Sequence, residues 1–93
     1  MILEIVSPEA SLFKGEITSI SAPGVDGSFQ ILNNHAAVVS LLQKGTVSIT
    51  APSFEFDKAT AGLFTKVSAE NYTLGISSGT LEMKNNKVIV LVD

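Results

Sequence analysis

The sequence predicts an all-β fold, a sandwich or flattened barrel of about nine short strands. Three observations predict it. Apolar and polar residues alternate with period two, most cleanly at Thr46-Val47-Ser48-Ile49-Thr50 and Tyr72-Thr73-Leu74-Gly75-Ile76-Ser77, which is the mark of half-buried strands. Turn-forming residues (Ser-Pro, Pro-Gly, Lys-Gly, Asn-Asn) punctuate the chain, and turn signals every eight to twelve residues or so are typical of sandwiches and barrels. The apolar run most open to a helical reading, Ala36–Leu42, is only seven residues long and rich in valine, which favours a strand.

The elements follow in order. Leu3–Val6 is a strand, stopped by Ser7-Pro8 because proline donates nothing to a ladder. Leu12–Ala22 reads as one second strand, with Glu16, Thr18 and Ile20 on one side and Ile17 and Ser19 on the other; Gly15 within it suggests a bulge or bend. Pro23-Gly24 opens a tight turn, since proline presets φ and glycine accepts φ > 0. Gly27 then releases the backbone into the third strand, Phe29–Leu32. Ala36–Leu42 is the next strand, and Lys44-Gly45 turns the chain into 46–50, which buries Val47 and Ile49 and leaves three hydroxyls outside. After Pro52, Phe54-Glu55-Phe56-Asp57 repeats the alternation, whereas Lys58–Glu70 stays open between strand and short helical turn. Tyr72, Leu74 and Ile76 face inward in the next strand. Thr80–Lys84 and Lys87–Val92 form a hairpin about Asn85-Asn86, because asparagine tolerates the left-handed region that a type I′ turn requires. The last strand is apolar on both sides, as expected of a central strand with both faces covered.

Ninety-three residues make a single domain, 1–93, and a chain of that length buries roughly two-thirds of its unfolded surface. There is no cysteine, so disulfides and thiolate metal sites are excluded. The net charge is −3 and all six basic residues are lysine; without a guanidinium fork, nucleic acid is not an expected partner. Although 45% of the residues are hydrophobic, no run approaches the eighteen or so needed to span a membrane. The start, Met-Ile-Leu-Glu-Ile-Val-Ser-Pro, lacks the basic and hydrophobic regions of a signal peptide. The apolar excess fits either a partner-covered surface or a dense β core.

Catalytic chemistry finds little footing. A triad would pair His35 with Ser40 and Asp26, yet no Gly-x-Ser-x-Gly elbow surrounds any serine. A structural histidine, bridging a turn to a neighbouring strand, is the better reading of His35. One histidine, no cysteine and separated acids leave no metal-ligand cluster. Asp26 between Gly24 and Gly27 is a solvated turn residue rather than part of a phosphate loop, because its charge repels phosphate. Lys84 and Lys87 belong to a soluble hairpin tip. No catalytic, cofactor or metal residue is expected, and a binding module is the default.

Several blocks in register carry a resemblance. Leu-Glu-Ile-Val-Ser-Pro-Glu at 3–9, Leu-Phe-Lys-Gly-Glu-Ile at 12–17, Pro-Gly-Val-Asp-Gly-Ser-Phe at 23–29 and Ile-Leu-Asn-Asn-His-Ala at 31–36 resemble the epsilon subunits of F-type ATP synthase. Lys-Gly-Thr-Val-Ser-Ile at 44–49, Ser-Ser-Gly-Thr-Leu-Glu at 77–82 and Asn-Lys-Val-Ile-Val-Leu-Val-Asp at 86–93 extend the match, leaving out only about 51–70. The resemblance implies a ten-stranded β-sandwich and a rotor part without catalysis of its own, seated between the gamma shaft and the membrane c-ring. It implies gamma contacts at Ser7, His35, Val38, Ser40 and Leu42, and c-ring contacts at Gly24, Asp26, Gly27 and Ser28, with Asp26 and Ser28 the polar ones. It further implies a peripheral location, through the complex, on the cytoplasmic face of a bacterial inner membrane; the mitochondrial matrix or plastid stroma is the alternative.

The sequence departs from the family at several points. Asn33 stands where proline is usual, Ala37 where it is frequent, and Ser28 replaces a common glutamate. Ser78 and Thr80 alter a Ser-Gly-Gly motif, and the 51–70 region is longer than usual. The chain ends at Asp93, where most members continue into a helical hairpin that carries ATP binding and inhibition; no nucleotide site is therefore expected in these residues. The rival readings are a stand-alone β-sandwich binding a peptide or glycan, which needs an aromatic-lined groove, and a small hydrolase dependent on His35.

Overall fold

The computed structural model describes residues 1–52 and 61–93. Ten strands are described: β1 (Ile2–Val6), β2 (Ser11–Glu16), β3 (Ser19–Gly24), β4 (Gly27–Leu32), β5 (Val38–Leu42), β6 (Gly45–Thr50), β7 (Phe64–Lys66), β8 (Asn71–Ile76), β9 (Gly79–Lys84) and β10 (Lys87–Val92), with a 3-10 turn at Ala61–Leu63. Lys58–Glu70 thus holds both a helical turn and a strand, while the expected strand Phe54–Asp57 lies outside the described residues.

Hydrogen bonding joins the strands in the order β2-β1-β10-β9-β5-β3-β6-β8-β7, with β4 on the side of β3. β1 and β10 run parallel, and the other pairs are antiparallel. The middle of this path is held by a single pair, Gly24 opposite Leu42, so the path divides there into two halves. Leu3, Ile5, Leu81, Val88 and Val90 of one half and Ile20, Ile31, Val47, Ile49 and Leu74 of the other fill one common core. The two ends of the path also meet. Phe13 of β2 and Phe64 of β7 pack edge to face, with ring centroids 6.4 Å apart and planes at 61°, a favoured aromatic geometry. The result is a curled sheet whose halves cover each other, the sandwich or flattened barrel that the alternation predicts.

Most elements follow from local pattern. Val47, Ile49, Tyr72, Leu74 and Ile76 are buried as the alternation requires. Asn85 and Asn86 both have positive φ, 53° and 59°, and close the β9–β10 hairpin in the manner of a type I′ turn.

Three expectations are corrected. Leu12–Ala22 is not one strand. Ile17 and Ile20 are both buried, and a spacing of three cannot keep two side chains on one face of a period-two strand. The chain turns a corner instead: the Ile17 amide donates to Met1 O (2.8 Å) in one half, and the next amide, of Thr18, to Thr50 O (2.8 Å) in the other. Secondly, Pro23-Gly24 ends β3 rather than forming the turn. Proline fits there because β3 leaves its partner β6 at Ser21 and meets β5 only at Gly24. The missing N–H costs no ladder bond, and the Pro23 carbonyl still accepts from the Gln43 amide at 2.9 Å. The turn itself is Val25-Asp26, closed by the Gly24–Gly27 pair. Thirdly, β10 is central but covered on one face only. Val88, Val90 and Val92 are buried, whereas Ile89 is half-buried and Leu91 is 51% exposed.

Candidate docking surface

The exposed face of β5, β9, β10 and β1 is built by strand parity. On β5, Val38 packs against the core and Leu42 is 3% exposed, so the intervening Val39 and Leu41 point outward, 75% and 61% exposed. Register then lines residues up across the strands: Leu41 opposite Thr80, Thr80 opposite Leu91, Leu91 opposite Val6. A second row runs Val39, Glu82, Ile89, Glu4, Lys14. The Val25 amide donates to Leu41 O at 3.0 Å, which brings Val25, 50% exposed, beside the first row. Val25, Leu41 and Leu91 share one shallow depression, and Leu91 shares the next with Val6, Ser7 and Pro8. The outcome is an apolar band that gives way to charges, Glu4, Glu82, Lys84 and Lys87, toward the Asn85-Asn86 hairpin end. An exposed apolar band rimmed by polar residues is the kind of surface at which proteins, membranes or ligands are bound.

The residues singled out from the sequence distribute unevenly over this frame. Val38 and Leu42 point inward, and Ser40, half-buried opposite the fully buried Leu81, shares their parity; its hydroxyl donates to Leu41 O at 3.3 Å. Val38 and Leu42 therefore serve core packing, and the exposed apolar residues of this strand are Val39 and Leu41. Both parities of this strand are apolar, so alternation alone could not choose between them. Ser7 sits in a tight turn, its amide donating to Ala10 O at 2.8 Å, and it borders the band. His35 is exposed, with Nδ1 2.7 Å from Ala36 O.

The Val25-Asp26 turn forms a second feature, at the opposite end of β4 from His35. Asp26, Gly27 and Ser28 are exposed, while Gly24 is buried beneath them. Gly27 has φ +124°, open to glycine and strained for other residues. A Cβ on Gly24 would lie 2.7 Å from Gly27 O and 2.9 Å from Phe29 Cε1, so the turn closes tightly on a residue that must lack a side chain. With the six residues of β4 between them, Asp26 and His35 stand about 20 Å apart at a strand rise of ~3.4 Å per residue. No Ser40–His35–Asp26 triad is assembled. Among the described residues no group of three or more His, Cys, Asp or Glu could hold a metal, and no helix is long and apolar enough to cross a membrane.

Sequence reasoning could not foresee the exposure of Val25, Val39, Leu41 and Leu91, which depends on which face the fold covers. It also missed Asn86 as more than a turn residue. The Asn86 side chain reaches across to the His35 corner, accepting from the Asn34 amide (2.8 Å) and donating to Asn33 Oδ1 (2.9 Å).

Comparison with known proteins gives this surface a context. Residues 1–93 match the family described as ATP synthase, Delta/Epsilon chain, beta-sandwich domain. The ATP synthase epsilon chain of Chlorobium limicola is 33% identical over 91 residues, covering 98% of this chain and 86% of that one. That of Desulforamulus reducens is 36% identical over 91 residues, but the match covers only 57% of its length. In the mitochondrial ATP synthase of Euglena gracilis, a structure containing OSCP, F1 and c-ring, one chain superposes with a TM-score of 0.76 at 16% identity, over 99% of this chain and 49% of that one; this shows the shared fold. By its sequence along the whole length and by its fold, the chain belongs to the ATP synthase delta/epsilon β-sandwich family, and the relatives named here are epsilon chains.

Proposed function

We propose that this chain is a non-catalytic rotor part of an F-type ATP synthase, joining the gamma shaft to the c-ring so that proton flow drives ATP synthesis. The observation that carries the reading is the family match over all 93 residues; the uncovered apolar band is the feature of the molecule that agrees with a permanent partner.

In this reading the gamma subunit covers Val25, Val39, Leu41 and Leu91, with Ser7 at the edge of the contact and His35 at its far corner. The exposed turn Asp26-Gly27-Ser28 faces the polar loops of the c-ring. Val38, Ser40, Leu42 and Gly24 act from beneath, by fixing the strand and the turn that carry the contacts. The chain is then peripheral to the membrane, held through the complex on the cytoplasmic face of a bacterial inner membrane, and catalysis resides in other subunits.

The physical task is to transmit torque without slipping. One charge crossing the membrane yields about 2.3 kcal/mol per 100 mV, and several crossings accumulate before one ATP forms. The joints must hold several such increments, which calls for well over ~1,000 Å² of buried interface in total. A curled sheet with one core and its two edges linked by Phe13 and Phe64 is a stiff block suited to that load. A peptide- or glycan-binding module finds less support, because Phe13, Phe64 and Tyr72 are buried and Phe29 packs against the core, leaving none of them as an open stacking platform.

The test is co-purification. A tagged chain recovered from gently solubilised membranes should bring gamma and the c-ring with it in fixed proportion. A stable pool of the chain with neither subunit attached overturns the reading.

A further inference from the structure

We propose that Asn86 is a positioning residue, which locks the exposed 33–35 corner into a single shape so that His35 is presented preformed to the shaft. The proposal rests on the reading that this corner meets gamma.

Residues 33–37 are all exposed, and Asn34 has a left-handed φ of 64°. An exposed bend of this kind is ordinarily among the first segments of a fold to open. Here it is fastened from outside. Within the bend, the His35 amide donates to Leu32 O at 3.1 Å. From a different hairpin, the two ends of the Asn86 side chain each take one member of the corner: Oδ1 accepts from the Asn34 amide and Nδ2 donates to Asn33 Oδ1.

Asn86 is itself held at three points. Its φ of 59° is set by the hairpin turn, its carbonyl accepts the Ile2 amide at 3.1 Å, and both side-chain ends are engaged. Asparagine tolerates left-handed φ and carries one donor group and one acceptor on a short stem. Aspartate would keep the acceptor and lose the donor; glycine would keep only the backbone conformation. The lock joins residues 52 and 53 positions apart, so it ties the corner to the hairpin of β9 and β10, the strands whose outer face carries the apolar band. A contact loop fixed in its bound shape loses less entropy on docking.

The test compares Asn86→Gly and Asn86→Asp with the unaltered chain, using His35→Ala as reference. Amide hydrogen exchange on the free chain reports the lock, and titration with purified gamma reports its use. For Asn86→Gly the Asn34 amide should exchange about tenfold faster, while Val88 and Val90 keep their protection and the Kd for gamma rises about five- to tenfold. Asn86→Asp, which keeps the acceptor for the Asn34 amide, should fall between the two. Unchanged exchange at Asn34 overturns the lock. Faster exchange with unchanged docking, where His35→Ala does weaken docking, overturns the positioning role alone. Faster exchange with docking unchanged in both variants shows that the corner is not a gamma contact, and the reading beneath the proposal falls with it.

Discussion

Leu41 and Leu42 are adjacent and chemically identical, yet they should fail in opposite ways. Leu42 is 3% exposed and part of the core. Truncating it to alanine removes buried methyl groups and leaves a cavity, at a cost of about 2–5 kcal/mol. A domain of this size has only about 5–15 kcal/mol of stability. At about 4–8 °C per kcal/mol, Leu42→Ala should lower Tm by roughly 8 °C or more. Leu41 is 61% exposed, so Leu41→Ser should alter the stability of the isolated chain by no more than about 0.5 kcal/mol. Its effect belongs to docking. Fully burying a leucine is worth about 1.5–3 kcal/mol, of which the open share here amounts to about 1–2 kcal/mol. Covered by gamma, that area corresponds to a rise in Kd of roughly five- to thirtyfold. Urea unfolding of the free chain and calorimetric titration with gamma separate the two effects. Equal loss of stability in both variants refutes the parity assigned to β5, and unaltered docking of Leu41→Ser refutes the apolar band as the contact.

Three further experiments probe the frame. Gly27→Ala meets no atom within 4 Å but inherits a φ of +124°, so denaturant unfolding should show a loss of about 1–3 kcal/mol from conformational strain alone. A Cβ at Gly79 would fall onto the Leu91 carbonyl oxygen; Gly79→Ala should therefore part β9 from β10 and cost more than about 3 kcal/mol, or prevent folding, as judged by circular dichroism. For Phe13 and Phe64, whose rings join the two ends of the strand path, a double-mutant cycle to alanine should give a coupling of about 0.5–1.5 kcal/mol.

What the sequence disclosed follows from how local each cause is. Val47, Ile49, Tyr72, Leu74 and Ile76 declare their face because their neighbours are polar, and Asn85-Asn86 declares a turn because few residues accept positive φ. The corner at Ile17-Thr18 was hidden, since its reason is non-local: one amide bonds to Met1 and the next to Thr50. Pro23 carries a strong turn signal, yet the exchange of partners along β3 is what makes it acceptable as a strand residue. Val38–Leu42 and Val88–Val92 are apolar on both faces, so their pattern states no direction, and only the folded halves reveal which side stays open. For the same reason the exposure of Asp26, beside two glycines, was legible as local turn chemistry, whereas the outward side of Val39, Leu41 and Leu91 was not. The role of Asn86 lay beyond sequence reading, because its partners are 52 and 53 residues away.

Coupling is the central claim, and proton pumping in inverted membrane vesicles tests it most directly. Vesicles whose ATP synthase has been stripped of this chain should hydrolyse ATP without building a proton gradient, and one equivalent of the purified chain should restore the gradient. Pumping at full strength in the stripped vesicles would contradict the claim that the chain couples shaft to ring.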